Sequence, residues 1–291
     1  MKKISLLLMV SLMIATMCSC TQQTEKQPLS SDVENTTQVS DDKNNAEQNS
    51  DKDTLYQVAL LQSLTQGYYD GILKSEDLLK HGDTGIGTFE GVNGEMIVLD
   101  GKIYQAVSDG SVNEVTSGET IPFGNVTFFE EDIKEELSDL ADINSVKETL
   151  DNVVQQNGKN MFYMVKIKGE FPMMYVRSEY KQEKPYKTLD EALKTDQTEF
   201  TYENIKGTVV GLYCPEYMSG LNASGWHFHF ISEDFQKGGH ILDMRINKAT
   251  AVLDKTDKFD MYLSDNSEFQ DMDLAKDVSK AIKQVETNEE D

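Results

Sequence analysis

The chain is poor in the residues that most often carry chemistry. Its 291 residues include three Cys, four His and one Trp. Arginine is also scarce, with only Arg177 and Arg245 among 27 basic residues. Three Cys can form neither a disulfide framework nor a four-cysteine zinc site. Basic residues are outnumbered by 51 Asp and Glu, which gives a formal net charge of −24. A surface this acidic repels phosphate backbones and argues against nucleic acid as a partner. What is present suffices for a core, because 38% of residues are hydrophobic.

The N-terminus reads as an address. Lys2 and Lys3 precede an apolar run over residues 4–17, too short to span a bilayer and long enough for a signal peptide. The run ends Met17-Cys18-Ser19-Cys20, similar to a bacterial lipobox with Cys20 as the acylated residue. Cys18 is the weaker choice because Met17 precedes it. Ordinary signal cleavage near Ser19 is the alternative. Residues 20–53 hold no aromatic residue and only Leu29, Val33, Val39 and Ala46 as aliphatics. They predict a disordered tether. The expected location is extracytoplasmic, with lipid at Cys20 as the only membrane attachment. The charged stretch from 276 onward predicts either a frayed helix or a tail folded onto the body.

Residues 54–275 read as mostly β. Asp100-Gly101 between alternating apolar residues predicts a hairpin over 94–107. A second hairpin is expected over 160–180, turning near Gly169. Further strands are predicted at 205–214, 225–232 and 241–254. Helices are fewer. Val146, Leu150, Val153 and Val154 form a helical face over 146–156. Thr188 to Glu191 is a capping box, and 75–82 reads as a short helix ended by glycine. The expected class is α+β, predominantly β. Mixed or antiparallel sheets form two β-rich halves, 54–196 and 197–275, with a few short helices.

Three of the four histidines cluster, at His227, His229 and His240. On a strand, residues i and i+2 share a face, so His227 and His229 present imidazoles side by side. Gly238-Gly239 could turn the chain and return His240 beside them. Three convergent imidazoles suit Zn²⁺ or another divalent transition metal. The alternative is three unrelated histidines. Glu233, Asp234, Asp243 and Glu95 are candidate carboxylates, though most of 51 acids must be a solvated surface. Arg177 offers a planar fork that holds a carboxylate bidentately. Cys214 reads as a small buried residue.

Six segments together resemble the α-acetolactate decarboxylase family. They are YQVALLQSLTQGYYDG (56–71), LLKHGDTGIGTFEGVNGEMIVLDGKIYQ (78–105), IPFGNVTFF (121–129), QEKPY (182–186), IKGTVVGLYCPEYMSGLNASGWHFHFISED (205–234) and GGHILD (238–243). The resemblance implies loss of CO₂ from 2-acetolactate to give (R)-acetoin, with zinc on His227, His229 and His240. It also implies active-site roles for Glu95, Thr88 and Arg177, and for a C-terminal glutamate, Glu289 first and Glu286 second. It further implies a homodimer. Two other readings also fit the sequence. His-x-His followed by Glu233 resembles half of a cupin signature, with no second half. A metal-binding or substrate-binding surface lipoprotein fits the anchor and tether equally well.

Overall fold

The first of two large sheets is built from short strands around the Asp-Gly hairpin. It contains β1 (Thr54–Val58), β3 (Thr84–Thr88), β4 (Glu95–Leu99), β5 (Lys102–Ala106), β6 (Val112–Val115), β8 (Phe123–Thr127) and β14 (Lys258–Tyr262). Their order is β14-β1-β8-β3-β4-β5-β6. Only β1 and β14 run parallel, so the sheet is mixed. Asp100 and Gly101 both take positive φ, as a two-residue hairpin turn requires. A small ladder of β2 (Leu73–Lys74) and β7 (Thr120–Ile121) lies outside both sheets. The computed structural model describes residues 52–287. The leader, most of the tether, Cys20 and Glu289 lie outside them.

The second sheet contains β9 (Ile133–Leu140), β10 (Phe162–Glu179), β11 (Gln197–Cys214), β12 (Gly225–Ser232) and β13 (Gly238–Thr256). β10 pairs with β11 on one edge and with β13 on the other. β12 pairs with β11 and with the start of β13, so these four strands close on one another. The expected hairpin over 160–180 is instead one continuous strand. Gly169 does not turn; a Cβ there would lie 2.6 Å from the Ala249 Cβ. Its missing side chain lets β13 approach, which a sequence cannot distinguish from a turn. Nor do the sheets divide the chain at 196. β9 and β10 belong with the later strands, and β14 returns to the first sheet.

Alternation along the strands sets what faces what. Met164, Val210, Leu212 and Ile231 pack against Ile86, Ile97 and Tyr104 of the first sheet. The opposite parity, including Val165, Val209, Phe228 and Phe230, packs against α3 (Ile143–Asn157). α3 buries Val146, Leu150, Val153 and Val154, the face predicted from spacing. It starts at a capping box made by Asp142 and Ser145. Asp243 accepts a further hydrogen bond from the Ile143 N–H at 2.8 Å. The remaining helices are α1 (Leu61–Thr65), α2 (Ser75–Leu78), α4 (Leu189–Leu193), α5 (Ser267–Gln270) and α6 (Ser279–Thr287). The Thr188 capping box is present at α4. α6 is not frayed: Ile282 and Val285 are buried with Leu61, Leu64, Leu189 and Leu193.

One buried acid joins the sheets. Asp254 on β13 accepts a hydrogen bond from Thr127 on β8 at 3.2 Å. Burial pushes its carboxyl up to about 7, against the Thr127 bond, and Asp132 and Glu130 add to the rise. The unfolded chain ionises near the ordinary Asp value, so stability is lost as pH rises from about 4 to 7. Asp254→Asn should therefore raise Tm by several degrees at pH 8 and leave it unchanged near pH 4. Paired thermal melts at the two pH values check this. A variant less stable than wild type at pH 8 would refute it.

Candidate metal centre

β12 delivers two histidines and β13 the third. His227 and His229 share the strand face of Ile231, toward the first sheet, while Trp226, Phe228 and Phe230 point to α3. His229 and His240 are directly opposed across the β12–β13 ladder. The chain reverses over 232–237, where Asp234 accepts from the Ser232 hydroxyl at 2.6 Å and from the Gln236 N–H at 3.1 Å. Gly238 and Gly239 already lie within β13, so they do not make the turn.

The three rings aim one nitrogen each at a common point. His227 Nε2 is 3.0 Å from His229 Nε2 and 3.0 Å from His240 Nδ1. The nitrogens that face away meet acceptors. His229 Nδ1 donates to the Met96 carbonyl at 2.9 Å, and His240 Nε2 donates to the Glu286 carbonyl at 3.3 Å. The Glu286 carboxylate lies 3.5 Å from His227 Nδ1. These contacts put the protons on the outer nitrogens and leave three lone pairs converging. Burial holds all three imidazoles neutral, with His227 pushed down to about 3 and the other two well below the usual range. Three convergent lone pairs without protons repel one another unless a cation sits among them, so the donor set fits a divalent metal.

Acids and one arginine surround this point. Glu95 Oε2 is 3.2 Å from His229 Nε2. Burial raises the Glu95 carboxyl well above the ordinary range, and the neighbouring Glu179 adds to the rise. Burial likewise raises Glu286 to about 7, with Arg177 opposing. Thr88 donates to the Gly94 carbonyl at 2.8 Å, which braces the backbone just before Glu95. Arg177 faces His240 across the β10–β13 ladder and is buried. Its Nε lies 3.4 Å from Glu179 Oε1. Neither Nε nor Nη1 has a hydrogen-bond partner. A buried guanidinium with unpaired N–H groups awaits an anion, since leaving such groups unmade costs ~1–3 kcal/mol each.

Thr88, Glu95, Arg177, His227, His240 and Glu286 all line one small cavity, and His229 touches it through His227 and Glu95. The first-choice tail acid, Glu289, lies outside the described residues, and the second choice, Glu286, sits on the histidines. Asp243 caps α3 and Asp234 shapes a turn, so neither reaches the centre. Arg245 is exposed on β13. Burial pushes the Cys214 thiol up, which suits a packing residue. The fourth histidine, His81, stacks on Tyr56 at 3.7 Å. Glu179 was missed. Its i, i+2 relation to Arg177 on one strand was the available signal.

Comparison with known proteins gives a consistent result. A family model described as alpha-acetolactate decarboxylase matches residues 55–276. An alpha-acetolactate decarboxylase of Methanosarcina mazei is 41% identical over 238 residues, covering 82% of each chain. That of Bacillus subtilis strain 168 is 35% identical over 237 residues, covering 81% of this chain and 90% of the relative. An X-ray structure of alpha-acetolactate decarboxylase from that strain superposes with TM-score 0.77 at 33% identity, over 80% of this chain and 99% of the other. A Staphylococcus aureus protein described as similar to alpha-acetolactate decarboxylase gives 0.75 at 31%, over 80% and 100%. α6 and Glu286 lie beyond the segment that the family model matches.

Removing one ligand should empty the centre. His227→Ala and His240→Ala are each expected to purify with far less than stoichiometric metal, as read by elemental analysis. Stoichiometric zinc in either variant would remove that residue from the ligand set.

Proposed function

The chain belongs to the alpha-acetolactate decarboxylase family and converts 2-acetolactate to acetoin and CO₂, and we propose that it does so at a zinc ion held by His227, His229 and His240. The observation that carries this reading is the convergence of three neutral imidazole lone pairs in the cavity where the Arg177 N–H groups lack partners. Bound there, zinc supplies a Lewis acid for the charge that develops on the substrate's ketone oxygen as CO₂ departs. The neutral nitrogen donors with acidic groups beside them suit a divalent ion.

The protein's own groups do the rest. Arg177 offers its open N–H groups to the substrate carboxylate and holds it across the cavity from the histidines. Glu179 Oε1, 3.4 Å from the Arg177 Nε, lies close enough to orient the guanidinium by charge. Entry of an anion into a nearly closed site favours keeping one carboxyl protonated. Glu95 and Glu286, both raised by burial, are the groups able to carry that proton and deliver it to one face of the enediolate. Delivery from one face gives a single product hand, (R)-acetoin. The near-closure of the cavity around Arg177, Glu95 and His229 limits water as a competing proton source. Thr88 braces the turn that sets Glu95.

The sequence further supports a leader over 1–19 and a lipid on Cys20. These would place the enzyme outside the cytoplasm on a tether, and family resemblance supports a homodimer. Replacing Cys20 with Ala should then release the protein from the membrane fraction.

The assay is direct: racemic acetolactate, with and without chelator. Acetoin should form only with metal and recover on adding zinc. Zinc binding without acetoin would favour the surface-binder reading. Arg177→Lys should lose ~10–100-fold in kcat, because an ammonium cannot replace the fork. Glu179→Ala should lose a similar factor with metal content intact, and Glu179→Gln less. Near-native turnover in Glu179→Ala would release Glu179 from its positioning role.

A further inference from the structure

Three buried amide side chains take no part in the site described above. Gln57 on β1 and Asn125 on β8 are directly opposed across their ladder, and Asn222 lies in the loop between β11 and β12. Each is 1% exposed or less. Asn125 Nδ2 donates to Gln57 Oε1 at 3.0 Å. Asn222 Nδ2 donates to Gln57 Oε1 at 2.8 Å and to Asn125 Oδ1 at 3.0 Å. Outward, Gln57 Nε2 donates to the carbonyls of Ala59 at 2.8 Å and Leu221 at 2.9 Å. Asn222 Oδ1 accepts from the Ala223 N–H at 2.7 Å. None of the three lines the cavity, so none touches reacting atoms.

The backbone they hold is the seat of α1, and α1 is part of the seat of α6. Ala59, where β1 passes into α1, has a left-handed φ of 56°, which a non-glycine residue keeps only when its surroundings demand it. α1 has no side-chain N-cap. Its first N–H groups, of Leu61 and Gln62, donate instead to the carbonyls of Leu221 at 3.0 Å and Gly220 at 3.2 Å. The Leu221 carbonyl thus serves α1 and Gln57 together. Leu61 and Leu64 form part of the cavity wall, and with Ala223 they pack against Ile282 and Val285 of α6. Gln62 and Gln66 donate to the carbonyls of Lys276 and Asp273 on the approach to α6. At the end of that chain of contacts, Glu286 meets His240 and His227.

We propose that Gln57, Asn125 and Asn222 are positioning residues for the decarboxylation, acting through α1 and α6 to hold Glu286 over the histidines. The proposal rests on the reaction and on the role of Glu286 given above. Apolar side chains could fill the same space, but they would let α1 slide against the 219–223 loop. Hydrogen bonds among buried amides are directional and admit one arrangement. A shift of ~1 Å in a reacting group can cost ~100-fold in rate even when its cause lies far from the chemistry.

The test compares the zinc-loaded full chain with Asn222→Ala and with Asn125→Ala. The second is milder, because the bonds from Gln57 to the backbone and from Asn222 to Gln57 remain; it carries the test if the first does not fold. Hydrogen exchange of α1 and α6 should quicken ~10-fold in Asn222→Ala, with α3 unchanged. Turnover of acetolactate should lose ~10-fold in kcat, with KM and zinc content near wild type. The acetoin formed should also lose enantiomeric purity, which a role in folding alone would not cause. Asn125→Ala should show the same pattern at smaller amplitude. Unchanged exchange in α6 would overturn the proposal. So would a lower Tm with kcat per zinc and product hand intact. A wild-type chain that makes no acetoin with zinc would overturn the assigned reaction, whereas the exchange pattern would still decide whether the amides seat α6.

Discussion

Three buried imidazoles can point their lone pairs at one spot only if their other nitrogens are satisfied elsewhere. That requirement organises the centre. The Met96 carbonyl fixes the tautomer of His229, and the Glu286 carbonyl fixes that of His240. The first acceptor comes from the seven-stranded sheet and the second from the last helix. Neither belongs to the sheet that carries the histidines. The centre therefore exists only when the two sheets are packed and α6 is docked. A ligand set assembled this way is oriented by its outer hydrogen bonds, which aim the free lone pairs at the metal position.

Strand parity is the means by which the fold meets that requirement. One face of β12 holds Trp226, Phe228 and Phe230 against α3, and the other holds His227, His229 and Ile231 against the first sheet. A one-residue slip would exchange the faces, burying aromatics at the centre and turning the imidazoles into the α3 core. The aromatic face thus pins the register that the chemistry needs. β10 contributes on the same principle, with Arg177 and Glu179 two residues apart and both in the cavity wall. α6 is held by Ile282 and Val285, so apolar packing rather than the site itself seats Glu286.

Much of this was legible in the sequence, and the reasons differ from residue to residue. The histidines stood out because the chain has only four, and because their spacing matched a strand and its return. The α3 face and the Asp100-Gly101 hairpin were legible because both depend on local periodicity. Gly169 was misread because glycine serves a turn and a close strand contact equally well. The two halves were misdrawn because β10, β11 and β13 are long and pair across the whole later chain. Glu179 was hard to pick out among 51 acids. Its i, i+2 spacing from Arg177 was the one signal, and the burial that gives that spacing meaning is a property of the fold. The tail acid was ambiguous for the opposite reason, since several glutamates crowd the C-terminus.

His227, His229 and His240 form the donor set proposed to hold zinc. X-ray absorption at the zinc edge on the purified protein tests it most directly. The expected result is stoichiometric zinc with three imidazole nitrogens at ~2.0–2.1 Å and an oxygen donor completing the shell. A shell of oxygen donors alone would contradict it, as would zinc that survives replacement of His229.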